Sequence, residues 1–445
     1  MLDIKTIRDN PEKIRKACQD KQAKVDIDKL LTLDTQRRKL IKQNEILKAE
    51  HNQISKKIAS LKGEEKQKLI NHAKEMVNKI GQGDKDLGKV ETEFQKIMFS
   101  IPNPALPDVK VGKDEAENEV LFQWGKIPKF TFKPKDHLVL GEDLDLIDIQ
   151  RAGKVSGTRF AYLKNELALL EYGLVQFVFD YLTNSRNIKK TINLHRHGGA
   201  SQQSTISNQP FVPVVPPAMI KQESMKAMGY LERGEDEVYQ TKKDNFYLVG
   251  TSEQSIGPMH TNEILDKKDL PKRYVSFSTC FRREAGSYGK DVKGILRVHQ
   301  FDKVEMFSFC SPEKSTEEHK FILSLEEKLV QALKIPYQVV KMCTGDLGYP
   351  AASKYDIECW MPGQDKYRET HSTSNCTDFQ ARRLNIRFRS NQEKIEFVHT
   401  LNGTAFAIGR ILIAIMENYQ QKDGSIKIPK VLQKYTGLKQ IKKRK

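Results

Sequence analysis

CFRREAGSYGKDVKGILRVHQFDKVEMF, residues 280–307, predicts a β-hairpin with a glycine-rich loop. Arg282 and Arg283 end its first strand. Because side chains alternate along a strand, four residues of the second strand share one face: Arg297, His299, Phe301 and Glu305. Arginine grips phosphate oxygens with two N–H groups, and an aromatic ring stacks on a base, so this face favours a nucleotide. A cross-strand ladder of salt bridges is the alternative interpretation of the same pattern.

The segments around this hairpin predict an antiparallel sheet with helices around it. Residues 167–182 predict a helix, and residues 211–219 predict a strand that ends in prolines and lies at an edge or an interface. Further strand candidates are 338–343, 354–361 and 393–401. Turns separate these strands instead of regular crossover helices, which favours antiparallel pairing over a doubly wound parallel sheet. No Gly-x-x-x-x-Gly-Lys-Ser/Thr loop occurs, which excludes a Walker-type nucleotide site.

Three further polar segments carry candidate site residues, and each is a weak signal on its own. They are VGTSEQS (249–255), YRETHSTSN (367–375) and HTLNGTAFAIGRILIAIMENYQ (399–420). The last one predicts a strand, a tight Asn-Gly turn and then a helix that carries Arg410. By residue type alone, Thr251, Ser252 and Thr404 are more often helix caps or turn residues than ligands.

The first hundred residues predict an antiparallel helical hairpin. They hold 23 Lys and Arg residues against 16 Asp and Glu residues. One heptad position is apolar throughout the first helix: Leu33, Leu40, Leu47, Ile54 and Leu61. After Gly63, steps of four and three residues give a second apolar stripe from Leu69 to Ile97. From the pattern alone, an RNA-binding arm and a scaffolding coiled coil are about equally favoured.

The composition limits the class of protein and its partners. The 445-residue chain has a net charge of +17, which favours a polyanionic partner such as nucleic acid. Its six cysteines form no Cys-x-x-Cys pair, so we expect no zinc ribbon and expect reduced thiols in a cytosolic protein. HRHGG (195–199) favours a solvated loop over a metal site. No apolar run reaches the roughly 18 residues of a membrane span.

The proline-rich segment IPNPALPDV (101–109) predicts a domain boundary. We expect four parts: a hairpin domain at 1–100, a linker at 101–125, a catalytic domain at 126–437 and a basic tail at 438–445. Residues 186–210 carry four Lys and Arg residues and no acid, which predicts a flexible polar insertion at the surface. The basic tail is expected to be disordered or to touch RNA.

Taken together, these segments resemble the seryl-tRNA synthetase family of class II aminoacyl-tRNA synthetases. Residues 280–307 resemble class II motif 2 in its seryl form, and residues 399–420 resemble motif 3. Residues 251–253, Thr-Ser-Glu, are similar to the family's Thr-x-Glu signature, and the runs at 343–369 and 375–389 also match. The resemblance covers nearly the whole chain. It implies an α+β fold, with an N-terminal antiparallel coiled-coil hairpin that binds tRNA and a catalytic domain whose antiparallel sheet is flanked by helices.

The resemblance also implies an activity, its cofactors and its partners. The expected enzyme activates L-serine with ATP as seryl-adenylate and releases pyrophosphate. It then transfers serine to the 3′ end of serine tRNA, and of selenocysteine tRNA where one is present. Mg²⁺ would bind the triphosphate through Glu369 and Ser372, and no zinc is expected. The expected enzyme is a cytoplasmic homodimer without a membrane segment, with 167–182 and 211–219 as the motif 1 dimer interface.

The roles of single residues are carried over from the family by position. Arg282 would hold the α-phosphate, Glu284 the adenine amino group, and Arg410 the adenine face or the γ-phosphate; these three form the implied catalytic group. The implied ATP-binding residues are Arg282, Arg283, Glu284, Arg297, Val298, Phe301, Glu369, Thr370, His371, Ser372 and Arg410. The implied serine-binding residues are Thr251, Ser252, Glu253, Arg282, Glu305, Asn402 and Thr404. Among the latter, Glu305 and Thr404 would take the serine hydroxyl.

Two alternative functions stay open at this point. A related ligase could load a small amino acid onto a carrier protein, although such relatives are expected to lack the long hairpin. A catalytically inactive paralogue could act as an RNA-binding module, but it would be expected to have lost Arg282, Glu284 or Arg410. Arg283 departs from the family pattern, since bacterial members often have Ser at this position.

Overall fold

The structure, a computed structural model, describes residues 1–196, 206–232, 234–285, 293–390 and 393–444. The centre of the predicted insertion and most of the predicted motif 2 loop lie outside the described residues. None of the helices in the described part of the chain combines the length and the apolar character that a bilayer span requires.

The chain divides into two compact units, Met1–Pro102 and Asn103–Lys445. The first unit is helical, with α1 Ile4–Asp9, α2 Pro11–Asp20, α3 Ile27–Ile58 and α4 Glu64–Ser100. Asp26 caps α3, since its carboxylate accepts from the Lys29 backbone N–H at 2.8 Å. Gly63, with φ 73°, precedes α4. The predicted helical hairpin is therefore confirmed.

The core of the hairpin is apolar at its base and polar further along. Ile7, Leu30, Leu33, Phe94 and Met98 are buried together where α1 and α2 pack against α3 and α4. Further along, polar side chains of the two long helices pair across the hairpin: Arg37 with Glu91, Asn44 with Asp84, and Lys48 with Asp84. Such pairs fix the register of two helices at some cost in stability.

The second unit combines strands and helices. Its strands are β1 Glu119–Trp124, β2 Ile147–Asp148, β3 Tyr162–Leu163, β4 Val212–Val214, β5 Met219–Lys221, β6 Tyr239–Gln240, β7 Phe246–Leu248, β8 Ile264–Asp266, β9 Lys272–Phe281, β10 Gln300–Cys310, β11 Tyr337–Lys341, β12 Ser353–Met361, β13 Lys366–Asn375, β14 Arg387–Arg389, β15 Ile395–Phe397, β16 His399–Ala407, β17 Ile426–Lys427 and β18 Gln440–Ile441. Its helices are α5 His137–Asp143, α6 Ile149–Ser156, α7 Asn165–Leu182, α8 Ser185–Arg196, α9 Gln222–Met228, α10 Glu253–Ile256, α11 Ser315–Leu333, α12 Phe379–Leu384, α13 Ile408–Asn418 and α14 Gln433–Thr436.

An eight-stranded sheet forms the centre of this unit, in the order β1-β11-β12-β13-β16-β10-β9-β4. All neighbours pair antiparallel except β4 and β9, which are parallel. The apolar sides of α7, α11 and α13 pack against the sheet in one continuous core. The predicted α+β fold with an antiparallel sheet is therefore confirmed, and the α7 and β4 predictions hold.

Three details of the sequence predictions are wrong. Asn402 and Gly403 form no turn but lie inside β16. Glycine is needed at 403 for close packing, because a Cβ there would come within 2.3 Å of Ile322 on α11. β10 begins at Gln300, so Arg297 and His299 precede the strand on which they were expected. Finally, 393–401 is split between two strands, β15 and β16.

The predicted linker and insertion also differ from the structure. Residues 103–125 are packed into the second unit, since the Asn103 amide donates to the Pro350 and Cys376 carbonyl oxygens at 2.9 Å and β1 is an edge strand of the sheet. Within the predicted insertion, α8 buries Ile188 and Ile192 in the core. The predicted linker is thus held by hydrogen bonds and strand pairing, and the start of the predicted insertion by two buried isoleucines.

Candidate active site

Strands β9, β10 and β16 bring together the residues of the predicted serine pocket. Glu305 of β10 lies between Ser276 of β9 and Thr404 of β16, next to a register shift after Val304. The Thr404 hydroxyl donates to Glu305 Oε2 at 3.2 Å, and both side chains are buried. A carboxylate and a hydroxyl thus face each other inside the protein, which is a suitable pair for binding a second hydroxyl group.

Lys303 places a positive charge in the same pocket. Its ammonium nitrogen lies 2.6 Å from Glu305 Oε2, and the residue is only 6% exposed. Burial raises the pKa of Glu305 to about 7; the charge of Lys303 opposes this rise, and the charge of Glu253 adds to it. The balance of charges around Glu305 is therefore set largely by one lysine.

Glu253 provides a second buried carboxylate, at the start of α10. It accepts a hydrogen bond from the Tyr230 hydroxyl. Burial raises the pKa of Glu253, although the charges of Lys303 and Arg282 oppose the rise. Two carboxylates that interact in a closed site attract an ammonium group more strongly than they would in water.

The loop before Glu253 is tied to the motif 2 strand. The backbone N–H of Phe281 donates to the Val249 carbonyl oxygen at 2.8 Å, and Arg282 Nε donates to the Gly250 carbonyl oxygen at 3.2 Å. The guanidinium carbon of Arg282 also lies 5.3 Å from the centre of the Phe301 ring. These contacts bring Arg282 close to both the Glu253 carboxylate and the ring that was predicted to stack on adenine.

Arg297 and Glu284 form an ion pair on the nucleotide side of the site. Arg297 Nη1 donates to Glu284 Oε2 at 2.8 Å, and Arg159 Nη1 donates to the Glu284 carbonyl oxygen at 3.0 Å. Glu284 has a φ of +52°, an uncommon value for a residue with a side chain. Two residues before Glu284, the backbone N–H of Arg282 donates to the His299 carbonyl oxygen at 3.0 Å and holds the chain in place.

A polar cleft of about 890 Å³ opens beside this ion pair. Its lining includes Arg297, Asp356, Glu369 and Arg410. Arg410 Nη1 donates to Glu369 Oε2 at 3.0 Å. Burial opposes ionisation of Glu369, but the charges of Arg410 and Lys354 outweigh it and lower its pKa to about 2. Glu369 is therefore an anion at neutral pH, beside two arginines that suit phosphate groups.

A bulge in β13 decides which side chains reach this cleft. Glu369 pairs with Glu358 and His371 with Ile357, so Thr370 is the extra residue. The bulge allows Glu369 and Ser372 to share a face despite their odd spacing, and Ser372 pairs with Asp356, which lines the cleft. Thr370 and His371 are buried, and their side chains contact each other at 2.8 Å. Of the predicted ATP residues on β13, Glu369 lines the cleft and Thr370, His371 and Ser372 do not, although Ser372 hydrogen-bonds to Asp356, which does.

The donor set at this point fits a magnesium ion that arrives with a nucleotide. Glu369 and Ser372 offer hard oxygen atoms, and Mg²⁺ in proteins typically takes one or two such ligands together with substrate phosphates and water. Among the described residues, no cluster of three or more His, Cys, Asp or Glu side chains could hold a metal by itself. A protein-only cage is therefore not formed in the described part of the chain.

Several predicted site residues occupy supporting positions. Ser252 accepts a hydrogen bond from the Ser276 hydroxyl at 2.7 Å and is fully buried. The Arg283 guanidinium carbon lies 5.8 Å from the centre of the Tyr239 ring, and the Val298 side chain is buried. The Asn402 amide lies 3.9 Å from Cys376 Sγ. The side chains of these residues therefore contact other groups of the protein, and none of the four lines the cleft.

Sequence reasoning missed Lys303 and Tyr230. Lys303 lies two residues before Glu305 and two after Phe301, so the alternation along β10 could have identified it. Tyr230 follows α9 and is far from Glu253 in sequence, and no local pattern predicts their contact.

Two family models match the chain. The seryl-tRNA synthetase N-terminal domain matches residues 1–105, and the class II core domain of the synthetases for Gly, His, Pro, Ser and Thr matches residues 236–419. The serine–tRNA ligase of Dictyoglomus thermophilum is 46% identical over 449 residues and covers 100% of both chains. The serine–tRNA ligase of Pyrococcus horikoshii is 44% identical over 467 residues, which cover 99% of this chain and 97% of the relative.

The chain belongs to the seryl-tRNA synthetase family. Solved structures agree with this assignment. The crystal structure of the Pyrococcus horikoshii seryl-tRNA synthetase complexed with ATP has a TM-score of 0.85 and 42% identity and covers 100% of both chains. The cytoplasmic serine–tRNA ligase of Naegleria fowleri in complex with AMP has a TM-score of 0.79 at 31% identity, and it covers 98% of this chain and 96% of the relative. The resemblance that was based on motifs 2 and 3 is thus confirmed, and the chain is an ATP-dependent aminoacyl-tRNA ligase.

Proposed function

We propose that the pocket around Glu253 and Glu305 binds serine and presents its carboxylate to ATP in the adjoining cleft. The chain joins serine to tRNA at the expense of ATP. The observation that supports this pocket most strongly is the pair of buried carboxylates, which lie with Lys303, Thr404 and Arg282 at the meeting point of three strands.

In this proposal, each polar group of serine has a partner. The ammonium group binds Glu253 and Thr251, and the hydroxyl binds Glu305 and Thr404. Arg282 lies beside the serine carboxylate and the α-phosphate of ATP. Alanine lacks the hydroxyl and would forgo the hydrogen bonds to the buried Glu305 and Thr404, which makes the pocket selective.

The adjoining cleft takes ATP. The relative from Pyrococcus horikoshii was crystallised with ATP, which supports a nucleotide at the matching place. Arg297 binds the terminal phosphates, and Phe301 lies against the adenine ring, with Glu284 at its amino group. Arg410 lies against the other face of the adenine ring or reaches the γ-phosphate. Glu369 and Ser372 hold Mg²⁺, which would neutralise charge on the triphosphate.

The chemistry needs positioning and charge stabilisation, because the attacking serine carboxylate is already ionised. A carboxylate oxygen bonds to the α-phosphorus as the bond from that phosphorus to the β-phosphate oxygen breaks and pyrophosphate leaves. Arg282 stabilises the charge that develops on the α-phosphate. The tRNA 3′-terminal hydroxyl then attacks the adenylate carbonyl carbon, and AMP leaves.

The two compact units have separate roles in this proposal. The hairpin of residues 1–100 binds tRNA, while the catalytic domain activates serine. All six cysteines are buried as thiols outside disulfide bonds, which suits a reducing compartment and supports a cytoplasmic enzyme. Recovery in a membrane or secreted fraction after cell fractionation would contradict that location.

The catalytic unit is also proposed to form a homodimer through α7 and β4. Leu169 and Tyr172 on α7 and Val212 and Val215 at β4 are exposed apolar side chains. A two-fold interface would bury them, and closed dimers are the commonest oligomers. Sedimentation should give twice the chain mass of 51.1 kDa, and a single-chain mass at micromolar concentration would contradict the dimer.

The residue roles are tested most directly by Arg282→Ala. Loss of a group that stabilises transition-state charge should lower serine-dependent ATP–pyrophosphate exchange by on the order of 10²–10³-fold. The melting temperature should change little, and Arg151→Ala, which removes an exposed arginine of α6, serves as the matched control. Near-normal exchange by Arg282→Ala would mean that Arg282 is structural.

A further inference from the structure

Six exposed lysines form what we call the C-terminal basic surface: Lys422, Lys427, Lys430, Lys439, Lys442 and Lys443. They belong to residues 420–444, which contain eight Lys and Arg residues but only one acid, Asp423. The local net charge is therefore 8 − 1 = +7. This segment follows the last helix of the class II core, α13.

The surface is part of a folded element, although its last residues were expected to be disordered or to touch RNA. β17 and β18 pair, with Ile426 opposite Ile441, and the Ile428 N–H donates to the Lys439 carbonyl oxygen at 3.0 Å. Ile426, Ile428, Leu432 and Ile441 are buried. The lysines are thus held outward on a closed loop whose apolar side chains face the core.

This element is also fixed to α7. A Cβ on Gly173 of α7 would come within 2.7 Å of the Thr436 side chain, so glycine permits the close contact. The ring centres of Phe177 and Tyr435 are 6.2 Å apart, and Arg444 Nη2 donates to Glu166 at 3.2 Å. The charges of the surface therefore have a defined position on the second unit.

Neighbouring acids balance only a small part of the positive charge of this surface. The pKa of Asp423 is lowered mainly by hydrogen bonds from Ser425 and less by the charge of Lys442. In the part of the chain that the structure describes, none of the six lysines has a carboxylate within ion-pair distance. Asp423 accepts hydrogen bonds from the Ser425 N–H at 3.0 Å and from the Ser425 hydroxyl. By contrast, Lys135 and Lys341 pair with Asp143 and Asp108 at 2.6 and 2.8 Å. Clustered like charges repel one another, and a polyanion would relieve that repulsion.

We propose that the C-terminal basic surface binds the phosphate backbone of the tRNA substrate, as an anchor distinct from the helical hairpin. This inference rests on the tRNA ligase function. The amides of Gln421, Gln433 and Gln440 donate hydrogen bonds within the protein, which leaves the lysines as the groups that face a ligand. The surface therefore recognises phosphate charge and position without sequence preference. This surface should therefore contribute part of the affinity for tRNA, and that part should decrease as the salt concentration rises.

The test replaces four of the lysines with glutamine: Lys427, Lys430, Lys439 and Lys443. Binding of serine tRNA is measured between about 50 and 200 mM KCl, together with the KM for tRNA in charging. Because fewer counterions are released, the slope of the logarithm of the tRNA association constant against the logarithm of the salt concentration should become shallower by about 3. The KM for tRNA should rise on the order of 10-fold. Serine-dependent ATP–pyrophosphate exchange should not change, because none of these side chains lines the cleft or belongs to the proposed serine pocket.

Two control variants distinguish an effect of this surface from an effect of the chain's net charge. Replacing Lys154, Lys189, Lys190 and Lys320, which are exposed on other helices, by glutamine removes the same charge and should leave the KM for tRNA near normal. Arginine at the four test positions should also retain normal tRNA binding.

Three results would overturn the proposal. The glutamine variant could keep the wild-type salt dependence of tRNA binding and KM for tRNA, the control variant could show an equal rise of the KM for tRNA, or the glutamine variant could lose exchange activity in parallel. Binding of anionic phospholipid vesicles that the four substitutions abolish, with the KM for tRNA unchanged, would assign the surface to a membrane instead. If the wild-type chain showed no serine-dependent ATP–pyrophosphate exchange, that result would contradict the ligase function itself.

Discussion

At the scale of single residues, Lys303 controls the charge of the serine pocket. It is the cation next to Glu305, and its charge also reaches Glu253. Because burial raises the pKa of Glu305 to about 7, this carboxyl group binds a proton as the pH falls below 7 and then accepts a hydrogen bond from the serine hydroxyl less strongly. The apparent affinity for serine should therefore fall on acidification through that range.

The substitution Lys303→Met should shift this loss of serine affinity to higher pH. Without the ammonium charge, the pKa of Glu305 rises further, so kcat/KM for serine in the exchange reaction should fall at pH 7 and recover partly at higher pH. The pH profile is the relevant measurement, because a purely structural role would lower kcat/KM equally at every pH. Lys303→Arg, which keeps the charge, should retain a profile near that of the wild type. Identical profiles for Lys303→Met and the wild type would contradict this role.

Single residues also show which features of the site the sequence predicts and which it does not. Alternation along β10 correctly placed Phe301 and Glu305 on one face, because period-two patterning is local. Gly403 was misread as part of a turn, since glycine serves both turns and close packing, and only the neighbouring Ile322 and Glu326 of α11 distinguish the two. The contact of Tyr230 with Glu253 depends on the tertiary fold and has no local signal.

At the scale of elements, the hairpin of α3 and α4 was predictable, because its heptads are regular over long helices. The elements that were missed are short or have a mixed composition. α8 is anchored by two buried isoleucines in a polar sequence, and β1 is a strand in a segment that follows several prolines. Both depend on contacts with distant parts of the chain, which composition does not encode.

The hairpin should be dispensable for activation and necessary for charging. Deleting residues 30–97 and joining the ends with a short linker should spare serine-dependent ATP–pyrophosphate exchange, because the pocket residues all belong to the second unit. Charging of tRNA should fall steeply, and the remaining tRNA binding should depend less on salt, since lysines such as Lys39, Lys42 and Lys56 are removed. The two activities are compared on the same preparation.

Either of two results would contradict this separation of roles. Normal charging by the shortened chain would make the hairpin a scaffold element. Loss of exchange would mean that the catalytic fold depends on it.

At the scale of the whole molecule, the excess of positive charge is distributed over both units. The first hundred residues contribute 23 − 16 = +7, and residues 420–444 contribute another +7 to the total of +17. Association with tRNA should therefore be steered by long-range attraction and be weakened by salt. Specificity for serine has a different origin, namely the buried polar groups of the pocket, and should be insensitive to salt.

The selectivity of activation tests the central claim, that this chain is a serine ligase using the Glu253–Glu305 pocket. ATP–pyrophosphate exchange is measured with serine, alanine and threonine at equal concentrations. Serine should exceed alanine by on the order of 10³-fold or more, because alanine cannot form the hydrogen bonds to the buried Glu305 and Thr404. Threonine should also react poorly, since its additional methyl group must fit a closed site. Comparable exchange rates with serine and alanine would contradict the account.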